Sequence, residues 1–282
     1  MAIATPQIKT DEHEYLRHGD RSLKLRLFRP AGDGPFPVVI NLHGGCWTTG
    51  DLDECRPRDE AIANAGIASA ALDFRHAGDG YPSSLLDINY AVRWLKSHAA
   101  GLQLDAQRVG LVGQSSGGHL AMLAAMRPHD PRYAAIKLDG SQVDASVRCV
   151  AMTWPVINPL SRYRHANSLR AGDQPPAWTK NIPERHDVYW QNEANMQEGN
   201  PLLALERGEQ VQTPPALWVQ GHPDQVHDYR DPESELDLNE PERFAQRYKE
   251  VGGSCEVVYT QFEARAVGSL QPISEFLAEQ LL

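Results

Sequence analysis

Apolar runs of strand length recur along this chain, separated by longer segments with helical spacing. Residues 22–30 alternate apolar and polar positions, a pattern that predicts a half-exposed strand. Six apolar runs predict further strands, at 36–45, 67–75, 108–115, 148–157, 214–221 and 254–260. The first of them follows a Gly/Pro turn and is expected to be a buried strand.

Several of the intervening segments are predicted to be helical. Four apolar side chains within 84–99 fall on one helical face: Leu85, Ile88, Val92 and Leu95. Residues 116–126 are rich in alanine and leucine, which favour helix, and 242–253 end in a glycine pair typical of a helix C-terminus. Strands that alternate with helices predict an α/β fold with a mostly parallel sheet and helices on both faces. Because no linker interrupts the pattern, residues 1–282 are expected to form a single domain.

One long segment, residues 157–212, breaks this alternation. It contains no strand-like run and is rich in proline, charge and aromatic side chains, notably Tyr163, Trp178, Tyr189 and Trp190. A long insertion between two core strands often covers a functional site, so we expect a helical lid here. The alternative is a surface excursion whose aromatic side chains pack on the body of the protein.

Composition restricts the partners more than it restricts the substrate. The 282 residues include 37 acidic and 27 basic side chains, and the formal net charge of -10 argues against nucleic acid and anionic membrane surfaces as partners. The first twenty residues lack the apolar core of a signal peptide, and no apolar run approaches the roughly 20 residues that span a bilayer. Four scattered cysteines without CxxC spacing are expected to be free thiols, which indicates a cytoplasmic protein.

The clearest chemical motif is Gly113-Gln114-Ser115-Ser116-Gly117, which fits G-x-S-x-G. The pattern alone is weak, but here it joins a predicted strand to a predicted helix. In that context the glycines permit a tight turn that exposes the serine hydroxyl, and the helix N-terminus directs backbone N–H groups at it. Ser115 is therefore a candidate nucleophile.

A second glycine motif, His43-Gly44-Gly45, follows the predicted strand at 36–45. Paired glycines at a strand end allow backbone amides to face a developing oxyanion. On its own the motif also fits a plain strand-end turn. Its combination with the serine turn favours an oxyanion hole.

These motifs resemble those of the α/β-hydrolase fold. The stretches that carry the resemblance are HGGCW, DFRHAGDGYPSSLLDINYAVRWL and RVGLVGQSSGGHLA, and it extends over residues 20–282. The chain is most similar to the hormone-sensitive-lipase-like and kynurenine-formamidase-like esterases, which carry HGG-x-W. The resemblance implies Ser115 as nucleophile and the amides of Gly44, Gly45 and Ser116 as oxyanion donors. No metal and no cofactor are expected.

The resembling families place an acid after the next-to-last strand and a histidine after the last strand. Asp224, three residues after Gly221, occupies the first position in this chain. The second loop, YTQFEARAVGSLQP, contains no histidine, and the last histidine of the chain is His227. Because a serine hydroxyl is a weak nucleophile without a base, another group must serve or Ser115 does not react fast.

His227 is the predicted replacement base, because it lies three residues after Asp224 in the same loop. Other histidines remain open as candidates: His222, His186, His165, His119 and His43. Of these, the histidine after the serine turn is expected to pack structurally, and the one in the glycine motif is expected to orient that loop.

The motifs together predict a serine hydrolase that cleaves a small carboxylic ester or amide through Ser115 and an atypical base. A small-molecule substrate is expected, and a homodimer is left open. The missing histidine raises two alternatives. One is a small-molecule-binding protein on the same scaffold, as in the gibberellin receptor that resembles this branch. The other is a non-hydrolytic enzyme, such as a lyase, that reuses the oxyanion hole.

Overall fold

A computed structural model describes residues 8–140 and 142–282, and its centre is one eight-stranded sheet. The strands are β1 (Lys9–His18), β2 (Arg21–Arg29), β3 (Phe36–Leu42), β4 (Ala68–Leu72), β5 (Leu104–Gln114), β6 (Val150–Thr153), β7 (Ala216–His222) and β8 (Cys255–Gln261). Their order across the sheet is β1-β2-β4-β3-β5-β6-β7-β8. β2 pairs antiparallel with β1 and β4, and all other neighbours pair in parallel, which confirms the predicted mostly parallel sheet.

Helices cover both faces of the sheet. They are α1 (Arg56–Asn64), α2 (Ser83–His98), α3 (Ser116–Met126), α4 (Pro159–Arg170), α5 (Ile182–Trp190), α6 (Glu193–Glu198), α7 (Pro201–Glu206), α8 (Glu240–Glu250), α9 (Arg265–Gly268) and α10 (Leu270–Leu281). Adjacent residues of β5 point to opposite faces, so Leu111 packs in one core with α2 and α3, while Val112 packs in another with α1 and α10. The continuous apolar runs therefore supply two cores at once.

Every strand predicted from an apolar run is present, with ends that differ by a few residues. Three elements were not predicted: β1, α1 and the four-residue α9, which lies in a segment expected to be a loop. β1 is an edge strand with mostly exposed, charged side chains, so no apolar run marks it. α1 carries few apolar residues, because two of its buried side chains are the charged Arg58 and Asp59, which bond to Asn41.

Residues 157–212 contain the four helices α4 to α7 and no strand. Tyr189 and Trp190 of α5 are buried against Trp47, at ring-centroid distances of 5.9 and 5.2 Å. The segment therefore packs on the loop that follows β3. That it closes over a functional site stays a prediction.

The first seven residues, part of the stretch without a signal-peptide pattern, lie outside the described residues. Across 8–140 and 142–282, none of the helices combines the length and the apolar character needed to cross a membrane.

Candidate active site

Ser115 lies on the sharp turn between β5 and α3. Its backbone has φ 51° and ψ -117°, a conformation that residues with side chains rarely adopt. The residues two positions away on either side must be glycines because the backbone passes too close for a side chain. A Cβ atom on Gly117 would lie 2.3 Å from the His43 carbonyl oxygen, and a Cβ atom on Gly113 would lie 2.3 Å from the Gly117 carbonyl oxygen. The Ser115 amide donates to the Thr153 carbonyl at 2.9 Å, and the side chain remains partly exposed. The turn thus presents the hydroxyl at the carboxyl edge of the sheet.

The hydroxyl of Ser115 has a histidine partner, and that partner is His227. Ser115 Oγ lies 3.1 Å from His227 Nε2, and His227 Nδ1 lies 2.8 Å from Asp224 Oδ2. An ionised carboxylate only accepts hydrogen bonds, so Nδ1 donates to Asp224 and the lone pair of Nε2 faces the serine. The structure therefore brings three of the predicted site residues into one hydrogen-bonded series.

A local turn after β7 places His227 on Asp224. Asp224 Oδ1 accepts the amides of Val226 and His227 at 2.9 and 3.3 Å, and the Asp224 carbonyl accepts the Asp228 amide at 2.8 Å. Aspartate favours such local side-chain-to-backbone bonds, and residues three apart in a helical turn share a face. The spacing D-x-x-H is therefore a real sequence signal for this pair.

Burial and nearby charges determine the protonation of the pair. Burial lowers the pKa of His227, Asp224 opposes that shift, and the guanidinium groups of Arg162 and Arg265 lower the pKa further. Burial alone would raise the pKa of Asp224, but hydrogen bonds from His227 and from two amides hold it below its ordinary value. At neutral pH the imidazole is therefore neutral and able to accept a proton, while the carboxylate is charged.

The side chains of His119 and His43 are buried and pack against neighbouring residues of the structure. His119 Nδ1 accepts from Trp47 Nε1 at 3.2 Å, and its Nε2 donates to the Gly199 carbonyl at 2.7 Å. His43 stacks on Phe74 with ring centroids 4.4 Å apart. Burial lowers the pKa of His119 to about 3 and that of His43 to about 4. Both rings are therefore uncharged parts of the structure around the site.

The other three candidate histidines also have partners elsewhere. His222 is exposed and pairs with Asp228 at 2.6 Å, and His186 bonds to a carbonyl of its own helix at 2.8 Å. His165 stacks on Tyr229 with ring centroids 4.4 Å apart. In the described part of the chain, none of these rings is hydrogen-bonded to the serine.

The loop after β3 lies directly against the serine turn. A Cβ on Gly44 would lie 3.5 Å from the Cβ of Ser115. The next three residues, Gly45, Cys46 and Trp47, have φ of 94°, 52° and 59°, so the loop makes three consecutive left-handed steps. We refer to residues 44–49 as the oxyanion loop, after the role predicted for its glycines.

Two of the three predicted donors are free, and one is engaged. The Gly44 amide donates to the carboxylate of Glu54, whose pKa is raised by burial and by Asp51 against the effect of that bond. The amides of Gly45 and Ser116 have no acceptor among the described residues. The first turn of a helix leaves such amides without an intrahelical partner, as at Ser116.

Two arginines beside the site were not singled out from the sequence. Arg162 of α4 is buried, with Nη2 3.0 Å from Cys46 Sγ and its guanidinium 5.3 Å from the centre of a Trp47 ring. Arg265, in the loop after β8, lies over a Trp154 ring at the same centroid distance of 5.3 Å. Single arginines in polar segments give no pattern, so their proximity emerges only from the packing.

Comparison with known proteins gives both a family and several relatives. The chain matches the family described as BD-FAE over residues 25–234. A probable carboxylic ester hydrolase of Mycobacterium tuberculosis, LipM, is 34% identical over 102 residues, which cover 36% of this chain and 24% of that protein. An ethyl acetate hydrolase of Pseudomonas putida is 37% identical over 109 residues, or 37% of this chain and 34% of that protein. The matched stretch is thus well under half of either relative.

Solved structures match over nearly the whole chain. EstE1, a thermostable carboxylesterase from a metagenomic library, superposes with a TM-score of 0.73 at 19% identity, over 100% of this chain and 92% of that one. A fungal esterase structure from Rhizomucor miehei gives a TM-score of 0.74 at 18% identity, over 99% and 86%. At these identities the likeness concerns the fold, and it confirms the predicted α/β-hydrolase architecture.

Proposed function

This chain belongs to the BD-FAE family, and from that premise we propose that it is a serine hydrolase of the carboxylesterase type that cleaves a small carboxylic ester. The observation that carries the proposal is the series Ser115 Oγ to His227 Nε2 at 3.1 Å and His227 Nδ1 to Asp224 Oδ2 at 2.8 Å. The names of the relatives, which include carboxylesterases and an ethyl acetate hydrolase, favour an ester over an amide.

Acylation begins when Ser115 Oγ attacks the ester carbonyl and His227 Nε2 takes the hydroxyl proton. Asp224 stabilises the imidazolium that forms, and it keeps the ring in the tautomer whose Nε2 faces the serine. The amides of Gly45 and Ser116 donate to the oxygen that becomes negative, a contribution of about 10²–10³ in rate for each donor. When the intermediate collapses, the leaving alkoxide takes the proton from His227 and departs as the alcohol.

Deacylation repeats the same steps with water as the nucleophile. His227 removes a proton from the water as its oxygen attacks the acyl carbon, and it then returns that proton to Ser115 Oγ. The products are a carboxylic acid and the free enzyme. Because one histidine serves in both halves, its neutral state at neutral pH is required twice per turnover.

The alternatives raised from the sequence rested on the absence of a base. His227 Nε2, 3.1 Å from the Ser115 hydroxyl, removes the reason for preferring a binding protein or a non-hydrolytic enzyme. The buried aromatic packing of α5 on Trp47 supports the proposal that residues 157–212 act as a lid over a small acyl group. A cytoplasmic location is also proposed, since all four cysteines are free.

Hydrolysis of 4-nitrophenyl acetate, butyrate and octanoate by the purified chain, beside Ser115→Ala, tests the proposal. We expect turnover that is lost in the variant, with a preference for the shorter acyl chains. A fluorophosphonate probe is expected to label the wild type and not the variant, and a peptide map locates the label. Wild-type turnover that the substitution leaves unchanged, or no turnover and no labelling, contradicts the proposed function.

A further inference from the structure

We propose that Arg185 of α5 is a positioning residue for the oxyanion loop. From the lid segment it holds the peptide that joins Gly45 to Cys46, so that the N–H of Cys46 stays available to the oxyanion formed during ester cleavage. The inference rests on the proposed hydrolase function and adds a residue to it, in a segment about 70 residues away from the nucleophile.

Three hydrogen bonds join Arg185 to the oxyanion loop. Nη2 donates to the Gly45 carbonyl and, at 2.8 Å, to Thr49 Oγ1, while Nε donates to Thr48 Oγ1 at 2.7 Å. The Gly45 carbonyl also accepts the amides of Thr48 and Thr49 at 3.0 and 3.2 Å. One carbonyl oxygen is therefore the centre of a cluster of donors, of which the guanidinium is the only charged one.

Because the peptide bond is planar, fixing the Gly45 carbonyl also fixes the direction of the Cys46 amide. The C=O of Gly45 and the N–H of Cys46 belong to one planar trans unit and point in opposite directions. Fixing the carbonyl toward Arg185 therefore directs the Cys46 N–H away from α5. That amide has no acceptor among the described residues, although Cys46 is buried. Since buried backbone N–H groups are almost always paired in folded proteins, this one is available for a ligand oxygen.

The loop needs such a hold because its conformation is unfavourable for its residues. Cys46 and Trp47 have side chains and yet adopt φ of 52° and 59°, a region that costs free energy for any residue other than glycine. Arg185 adds a charged donor to the two loop amides that already bond to the Gly45 carbonyl, so its removal weakens the restraint that keeps the Gly45–Cys46 peptide from rotating toward a commoner conformation. Rotation of this unit would swing the amide out of position while leaving the Ser115–His227 contact intact.

This role predicts a defect in the transition state and a smaller one in substrate binding. The carbonyl oxygen of a bound ester carries little charge, and it becomes a full acceptor only as the tetrahedral intermediate forms. We therefore expect Arg185→Ala to lower kcat by roughly 10–100-fold, with KM within about threefold of the wild-type value. Arg185→Lys keeps the charge but lacks the fork that spans the carbonyl and both hydroxyls, so an intermediate loss is expected.

The test compares these variants with Arg164→Ala, measured on 4-nitrophenyl butyrate and against a trifluoromethyl ketone that forms a tetrahedral adduct. Arg164 lies in the same segment, has similar partial burial and pairs with Glu193 and Glu233, away from the oxyanion loop. We expect the inhibition constant of the ketone to rise in Arg185→Ala by the same factor by which kcat falls, and both to stay near wild type in Arg164→Ala. Added guanidinium chloride at millimolar concentration is expected to restore part of the lost kcat.

Two results overturn the inference. One is a kcat for Arg185→Ala within twofold of wild type, and the other is an equal loss in Arg164→Ala, which indicates a general effect of disturbing the lid. If Arg185→Ala does not fold, as judged from its thermal melt, Arg185→Lys decides between the same outcomes. If the wild-type protein shows no Ser115-dependent turnover, the proposed function itself is wrong. If the wild type is active but Arg185→Ala does not change kcat, only this inference is wrong.

Discussion

The loops after β7 and β8 leave the sheet side by side, yet only the first brings a histidine to the serine. The two strands pair in parallel over their whole length, with His222 opposite Gln261. Loops that follow neighbouring parallel strands meet at the same edge, where sites of open α/β sheets are built. The β7 loop, residues 223–239, carries both Asp224 and His227, and its turn presents the imidazole to Ser115.

The β8 loop, residues 262–269, contains no histidine and brings no side chain to the serine hydroxyl within hydrogen-bond distance. It folds at once into a short 3-10 helix and α9, and its Arg265 lies over the rings of Trp154 and Phe262. Its small Ala266 lines a cavity of about 80 Å³ next to Gln114. The difference teaches that the loop that carries the acid can also bring the imidazole to the serine hydroxyl, without a histidine from the neighbouring loop.

The largest expected effect comes from removing the base in the β7 loop. His227→Ala is expected to lower kcat by roughly 10⁴–10⁶-fold, because the serine then has no group to take its proton. Initial rates with 4-nitrophenyl butyrate at pH 8 measure this. The matched control is His222→Ala, which removes an exposed imidazole from the end of β7. Equal losses in the two variants, or a His227 variant with a tenth of wild-type activity, would contradict the assignment of the base to this position.

A second substitution separates the two histidine–aspartate pairs of the same region. Asp224→Asn keeps the shape of the side chain but leaves His227 free to adopt the wrong tautomer, and we expect kcat to fall by about 10³–10⁴-fold. Asp228→Asn, which weakens the pair between Asp228 and His222, is expected to leave kcat within about threefold. The comparison fails if the Asp228 variant is the more impaired enzyme while its thermal melt matches that of the wild type.

Much of the fold was accessible from the sequence because its strands are apolar on both faces. Val39 and Ile40 fill cores on opposite sides of the sheet, so the stretch 36–40 that contains them has no polar interruption. β1 escaped prediction for the opposite reason, since an edge strand with charged, exposed side chains resembles a loop in sequence. Patterning therefore detects strands rich in apolar residues, including the edge strand β8, and overlooks an edge strand as charged as β1.

The candidate site divides in the same way between local and distant contacts. The glycines around Ser115 and the three-residue spacing of Asp224 and His227 are local features, and both were open to sequence reasoning. The contacts of Arg162 and Arg185 with the oxyanion loop depend on how α4 and α5 fold back across the sheet edge. A polar segment gives no periodicity that specifies such packing, so these residues required the structure.

The smallest expected effect tests whether the β8 loop still influences the base of its neighbour. Burial lowers the pKa of His227 most, and the positive charge of Arg265 lowers it further by disfavouring the imidazolium. Arg265→Met removes that charge, so the pKa of His227 should rise, and activity should be lost at a higher pH as the solution is acidified. We expect the acidic limb of the pH profile of kcat/KM to move upward by a fraction of a unit, with rates above pH 8 unchanged. Arg230→Met, which removes an exposed arginine from the β7 loop, is the control and should not move the limb. If the acidic limb stays in place in Arg265→Met, or moves downward, then Arg265 of the β8 loop does not lower the pKa of His227 in the neighbouring loop.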